Sequence, residues 1–142
     1  MAKVLETYSE RIQALEQVKT IAMVGASANP DRPSYEVMAF LINQGYELFP
    51  VNPGLDGKKI LGREVYSRLA DIPEKFDMVD VFRNSAAIEQ VIKDIEQIGF
   101  IPNLFWMQLG VINEHCASRA VELGMNVVMD HCPMIDLSNG GH

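Results

Sequence analysis

The stretch best equipped for chemistry runs Gly25-Ala26-Ser27-Ala28-Asn29-Pro30-Asp31-Arg32-Pro33-Ser34. It follows a short apolar run, Thr20 to Val24, and precedes a segment of helical character. Glycine has no Cβ, so Gly25 lets the backbone bend tightly and come close to a ligand. The small side chains of Ala26, Ser27 and Ala28 leave room for a diphosphate. Pro33 suits the first turn of a helix, where a missing N–H costs nothing. The helix start that follows offers unpaired N–H groups and the positive end of a dipole, both suited to an anion. Arg32 can add a bidentate charged contact, and the hydroxyls of Ser27 and Ser34 can donate. The same residues also fit an ordinary strand-to-helix turn carrying a solvated arginine.

The segment is not the dinucleotide fingerprint G-x-G-x-x-G, because Gly25 stands where three glycines are wanted. A nicotinamide-binding domain also places Asp or Glu at the end of its second strand to hold the ribose hydroxyls. Here that end reads Val51-Asn52-Pro53, without a carboxylate. A phosphate on the ribose would be repelled by an acid there and tolerated by Asn52 with a base nearby. Lys58 is the better candidate for that base, with Lys59 beside it; a solvated loop is the alternative.

Further polar groups fall at later strand ends. Phe82 is placed to lie against a base, and Arg83 to reach a phosphate or base. Asn84 or Ser85 would cap the helix that follows. Gln108 is a polar side chain at the right edge, followed by Leu109 and by Gly110, which permits close backbone approach. Asp80 lies inside an apolar strand, where a carboxylate needs partners; a satisfied structural acceptor is the simpler reading. Trp106 and Cys132 read as packing residues. The histidines have no metal-ligand spacing, and no Ser-His-Asp or Cys-His order is apparent, so no catalytic residue and no metal ligand is assigned.

The elements that must position these groups follow from periodicity. Leu5, Tyr8, Ile12, Leu15 and Val18 recur at helical spacing, which predicts a helix over about 5–18. Strands are expected at Thr20–Val24, Glu47–Val51, Asp77–Phe82, Asn103–Met107 and Asn126–Met129, with a short extended piece near Ile60 and Val65. Helices are expected at Ser34–Gln44, around Ile88–Ile98, and from an Asn113 cap to Leu123, with a brief helix near Arg68–Asp71. Residues 134–142 read as a short tail. Near-continuous apolar strands alternating with helices are the mark of a parallel sheet covered on both faces. The fold class is therefore α/β, a doubly wound, mostly parallel sheet of about five or six strands in three layers. Ligands of such sheets bind outside the carboxyl ends of the strands.

Composition sets the outer bounds. The 142 residues are 48% hydrophobic and 22% charged, which suits one globular domain over 1–142, with residues 1–19 packed on it as a helix. The net charge of −7 argues against a nucleic-acid partner, which needs a basic stripe. No apolar run is long enough to span a bilayer. The first ten residues lack the apolar core of a signal peptide. A cytoplasmic protein is expected, with no membrane partner. A homodimer or an unidentified protein partner stays open.

Six segments in order carry a resemblance: Val24-Gly25-Ala26-Ser27, Arg32-Pro33-Ser34-Tyr35, Pro50-Val51-Asn52-Pro53, Val79 to Arg83, Trp106 to Val111, and Asp130-His131-Cys132-Pro133. Together they resemble the small stand-alone CoA-binding proteins, relatives of the N-terminal domain of the succinyl-CoA synthetase α subunit. The resemblance runs from about Thr20 to Pro133. It implies a Rossmann-like fold and a site for coenzyme A or an acyl-CoA. Gly25 to Ser27 would face the diphosphate, with Arg32, Pro33 and Ser34 beside it. Asn52, Pro53 and the loop after them, with Lys58, would line the adenosine side. Phe82-Arg83 and Gln108, Leu109 and Gly110 would complete the groove. The synthetase carries a further domain with a phosphorylated histidine, and no counterpart of it is expected here. The expectation is therefore a binding protein without chemistry of its own, acting as carrier, sensor or regulatory partner. An NAD(P)-dependent oxidoreductase or redox sensor is the alternative, weakened by the missing glycines and the missing acid. An interaction module with a vestigial site is the third reading.

Overall fold

A computed structural model of the chain describes residues 2–140. Helix α1 (Tyr8–Glu16) starts at Thr7, whose hydroxyl accepts from the Glu10 amide while the Glu10 carboxylate accepts from the Thr7 amide. The helix is shorter than its periodicity suggested. Leu5 lies outside it in extended backbone, its amide donating to the Val127 carbonyl at 2.7 Å.

Strand β1 (Thr20–Val24) leads through the glycine turn into helix α2 (Pro33–Asn43). Strand β2 (Glu47–Val51) is followed by a small two-stranded antiparallel unit, β3 (Lys59–Ile60) with β4 (Arg63–Glu64). Then come β5 (Met78–Val81), α3 (Ile88–Glu96), β6 (Leu104–Met107), α4 (Glu114–Leu123) and β7 (Asn126–Val128). Asn84 accepts from the Ala87 amide and Asn113 from the Cys116 amide, so both asparagines cap the helical turns they precede. Gly124 closes α4 in the left-handed region, φ 106°.

The main sheet has five strands in the order β2-β1-β5-β6-β7, all parallel. This is a Rossmann-like three-layer α/β fold. Successive residues of each strand point to opposite faces, and the core divides accordingly. Ile21, Met23, Met78, Leu104, Trp106 and Val128 pack with α1 and α2 on one face. Ala22, Val79, Val81, Phe105, Met107 and Val127 pack with α3 and α4 on the other.

Register aligns the strand ends. Val24 pairs with Val51 on one side and Val81 on the other, and Val81 pairs with Met107. The loops after β1, β2, β5 and β6 therefore leave from one edge. The chain winds outward from β1 to β2 and, in the other direction, from β5 to β7. That reversal opens a crevice between the β1 and β5 ends.

Within the described residues the stretch expected as a tail is instead a helix, α5 (Pro133–Gly140), while residues 141–142 of that expectation lie outside them. It is held by a contact that local sequence does not announce. Arg11 Nε donates to Asp136 Oδ2 at 2.8 Å, with the side chains 8% and 7% exposed. Met134 and Leu137 complete the docking against the α2 face of the core. Among the described residues no helix is long and apolar enough to cross a membrane.

Candidate functional site

Three concavities open along the edge where β1, β2 and β5 end. The middle one, about 420 Å³, is lined by Gly25, Ala26, Ser27, Arg32, Pro33, Ser34, Asn52 and Phe82. On the α2 side an apolar groove of about 460 Å³ shares Pro33 and Phe82 with it. Val37, Leu109, Val111, Met134 and Ile135 form most of its wall, and Gln108 and Cys132 lie along it. On the α3 side a smaller cavity of about 170 Å³ lies among Val24, Val51, Pro53, Leu69 and Val91, with Arg83 at its rim. Arg83 also lines the groove, so it stands between the two.

The middle concavity suits an anion, though not through Gly25 as the turn's sequence suggested. The amides of Gly25 and Ala26 both donate to the Val51 carbonyl, at 3.0 and 3.3 Å. The glycine is required by the protein's own backbone: φ is +88°, and a Cβ there would sit 2.6 Å from the Phe82 carbonyl oxygen. The donors left for a ligand are the amides of Ser27, Ala28 and Ser34, which meet no acceptor among the described residues. Ser34 is in the first turn of α2, where backbone N–H groups point out of the helix. Arg32 caps that turn, is exposed, and pairs with no carboxylate among the described residues; the same holds for Arg83.

Asn52 contributes as a tie. Its Nδ2 donates to the Ala26 carbonyl at 2.8 Å and its Oδ1 accepts from the Gly54 amide at 2.8 Å. Both ends of the carboxamide are thus spent in holding the β1 and β2 loops together. Lys58 lines none of the three concavities; its amide closes a turn onto the Leu55 carbonyl. Gly110 lines none either, and its amide donates to Asp130 Oδ1 at 2.7 Å. Leu109 extends into the groove and is 56% exposed.

Below the groove, Gln108 is buried and donates through Nε2 to Asp80 Oδ1 at 2.9 Å. Asp80 is fully buried in β5, and its other oxygen, Oδ2, has no partner among the described residues. Burial penalises the charged carboxylate and pushes its pKa up to about 7; the hydrogen bond from Gln108 offsets only part of that. Burial also pushes the Cys132 thiol up, so thiolate is scarce at neutral pH. Trp106 is fully buried and donates to the His131 carbonyl at 2.8 Å, a packing role. No group of three or more His, Cys, Asp or Glu side chains suited to a metal occurs among the described residues.

Sequence reasoning passed over Ser67, Arg68, Gln90 and Asp94, which ring the small cavity. They lie in the loop after β4 and on the exposed flank of α3, and no local motif marks them.

A switch-point crevice, a helix start with unspent amides and two arginines without a carboxylate partner among the described residues define a Rossmann-like domain whose strand ends can receive an anionic, partly apolar ligand. The chain belongs to the CoA binding domain family, which it matches over residues 19–138. It is 37% identical to protein YneT of Bacillus subtilis over 120 residues, 84% of this chain and 86% of that one. A Thermus thermophilus structure, cell-free ID.343, superposes with a TM-score of 0.87 at 34% identity, covering 94% of this chain and 98% of the other. The α subunit of acetate–CoA ligase (ADP-forming) I from Pyrococcus furiosus is 35% identical over 92 residues, which are 62% of this chain and 20% of that subunit.

Proposed function

We propose that this chain binds coenzyme A or an acyl-CoA across the mouth of its sheet and serves as a carrier, sensor or regulatory partner. The observation that carries the reading is the continuity of the concavities. The anion pocket at the start of α2 passes, by way of Pro33 and Phe82, into an apolar groove. Coenzyme A has that division: a charged diphosphate and, beyond it, a long weakly polar arm ending in sulfur. The Ser27, Ala28 and Ser34 amides with Arg32 would hold the diphosphate, and Arg83 would flank the passage into the groove. Phe82, Gln108 and Leu109 would lie along the arm. Membership of the CoA binding domain family supports the same ligand, and so does the acetate–CoA ligase relative.

The binding role, rather than catalysis, is supported by the reactive groups nearby. The Cys132 thiol is held largely protonated by burial, and the Asp80 carboxyl lies beneath the groove with one oxygen bound to Gln108. Cys132 lines the groove as a protonated thiol rather than a thiolate, and Asp80 lies beneath it, tied to Gln108. The nicotinamide alternative finds no ribose-binding acid after β2, where Asn52 is already bound at both ends.

Isothermal calorimetry with coenzyme A, NAD and NADP tests the proposal. The expected result is saturable binding of coenzyme A and weaker or undetectable binding of the nicotinamide nucleotides. Tight NAD or NADP binding with none of coenzyme A would sink it.

A further inference from the structure

The apolar groove changes character along its length. It begins beside Pro33 and Phe82, where Glu36 of α2 and Arg83 after β5 put charge on its lining. On the side supplied by the chain after β6 and β7, the lining is Gln108, Leu109, Val111, Cys132, Met134 and Ile135, and none of these carries a charge. Two of them stand in water: Leu109 is 56% exposed and Ile135 46%. They come from different elements, the loop after β6 and the first turn of α5. The His131 amide donates to the Met107 carbonyl at 3.4 Å, which draws the start of α5 over the β6 end and brings the two side chains to one groove.

Length connects that end of the groove to the anion pocket. From the β1 end, across β5, to the β6 and β7 ends is two to three strand spacings, or about 10–14 Å. The arm of coenzyme A runs about twelve bonds from diphosphate to sulfur, the length of four peptide units and so about 14 Å when extended. An arm that starts in the anion pocket therefore delivers its sulfur to the part of the groove walled by Leu109 and Ile135. A free thiol there would leave both side chains in water. An aliphatic chain joined to the sulfur would cover them, and each methylene buried strengthens binding by about fourfold. A chain ending in a carboxylate would have to desolvate its charge beside a wall that offers no cation.

We propose that the end of the groove at Leu109 and Ile135 is an acyl site, and that the ligand is a coenzyme A thioester of an uncharged aliphatic acid rather than the free coenzyme. This inference rests on the coenzyme A reading above and names the class of ligand. The wall is aliphatic and open to solvent, so it selects for apolar character and chain length rather than for one acid.

Calorimetry with free, butyryl-, octanoyl- and succinyl-coenzyme A tests this on the wild type, Ile135→Ser and Ile101→Ser. Ile101 is also exposed, at 41%, and lies before β6, at the opposite edge of the sheet. Wild-type affinity should rise from the free coenzyme through butyryl- to octanoyl-coenzyme A, by about tenfold or more over the series. Succinyl-coenzyme A matches the butyryl thioester in length and ends in a carboxylate, so it should gain nothing over the free coenzyme. Ile135→Ser should cut the octanoyl preference by about threefold or more, and Ile101→Ser should leave it in place. Equal wild-type affinity for free and octanoyl-coenzyme A, a succinyl gain as large as the butyryl gain, or a preference untouched by Ile135→Ser or equally lost in Ile101→Ser each overturns the inference while the coenzyme reading stands. So does a wild-type dimer in sedimentation that Ile135→Ser disperses and that shows no acyl preference, which would give the groove to a second copy of the chain. A wild type that binds none of the four ligands overturns both.

Discussion

The carboxamide of Gln108, at the end of β6, donates to the carboxylate of Asp80, in the middle of β5, across 2.9 Å. The pair sits beneath the apolar groove, and the second Asp80 oxygen is buried without a partner among the described residues. A carboxyl in that position folds most easily when protonated. Its folded pKa, about 7, is above its ordinary value near 3.8. The stability it contributes is therefore fully present below about pH 4 and is lost as pH rises to about 7, because the native state binds the extra proton. Asp80→Asn keeps an acceptor for Gln108 and removes the ionisation. Urea midpoints measured from pH 4 to 8 should show the wild type losing stability relative to Asp80→Asn across that window, by a few kcal/mol at the top. A difference independent of pH would show that Asp80 is not buried as described.

Gly25→Ala should destabilise the protein with no ligand present. The residue sits at φ +88°, and the added carbon would meet the Phe82 carbonyl at 2.6 Å. The left-handed backbone alone costs an alanine about 1–2 kcal/mol, and the contact adds to it. A drop in thermal midpoint for the ligand-free variant checks this. A variant as stable as wild type but deficient in binding would instead mean that the ligand requires the glycine.

Arg11 and Asp136 join the first helix to the last through a buried ion pair. Removing either partner strands a charge, which typically costs about 3–5 kcal/mol. Arg11→Met and Asp136→Leu should each lower the denaturation midpoint sharply. The double replacement should recover much of the loss, since a buried pair and a packed apolar pair are often close in energy. Additive single effects in a double-mutant cycle would show that the two side chains do not interact.

Arg32→Ala should weaken coenzyme A binding by about 1.5–3 kcal/mol, the range for a hydrogen bond to a charged group. Stability should change little, because Arg32 is exposed and pairs with no carboxylate among the described residues. Arg32→Lys should recover only part of the affinity, since the ammonium lacks the planar fork. Affinity unchanged in Arg32→Ala would move the diphosphate away from the start of α2.

Much of the protein was decided by residues close together in the chain. Alternating apolar runs and helical periods specify the order of strands and helices, and the strands' apolar character specifies that both faces are covered. Asn84, Asn113 and Gly124 end or begin helical turns by hydrogen bonds and backbone angles that span three or four residues. These features depend on local spacing, so they can be read from it. The strand ends, and with them the candidate site as a region, follow from the same pattern.

What each polar group does there depended on strand order and register, which local spacing does not encode. The Val51 carbonyl takes the Gly25 and Ala26 amides only because β2 lies beside β1. Asn52 is spent at both ends for the same reason. Gln108 meets Asp80 because β6 lies beside β5. Arg11 meets Asp136 across 125 positions of sequence, and that contact helps make a helix of a stretch that reads locally as a tail. A hydrogen bond forms between whatever groups the fold brings within about 3 Å, and folding chooses those neighbours by burying the whole apolar surface at once.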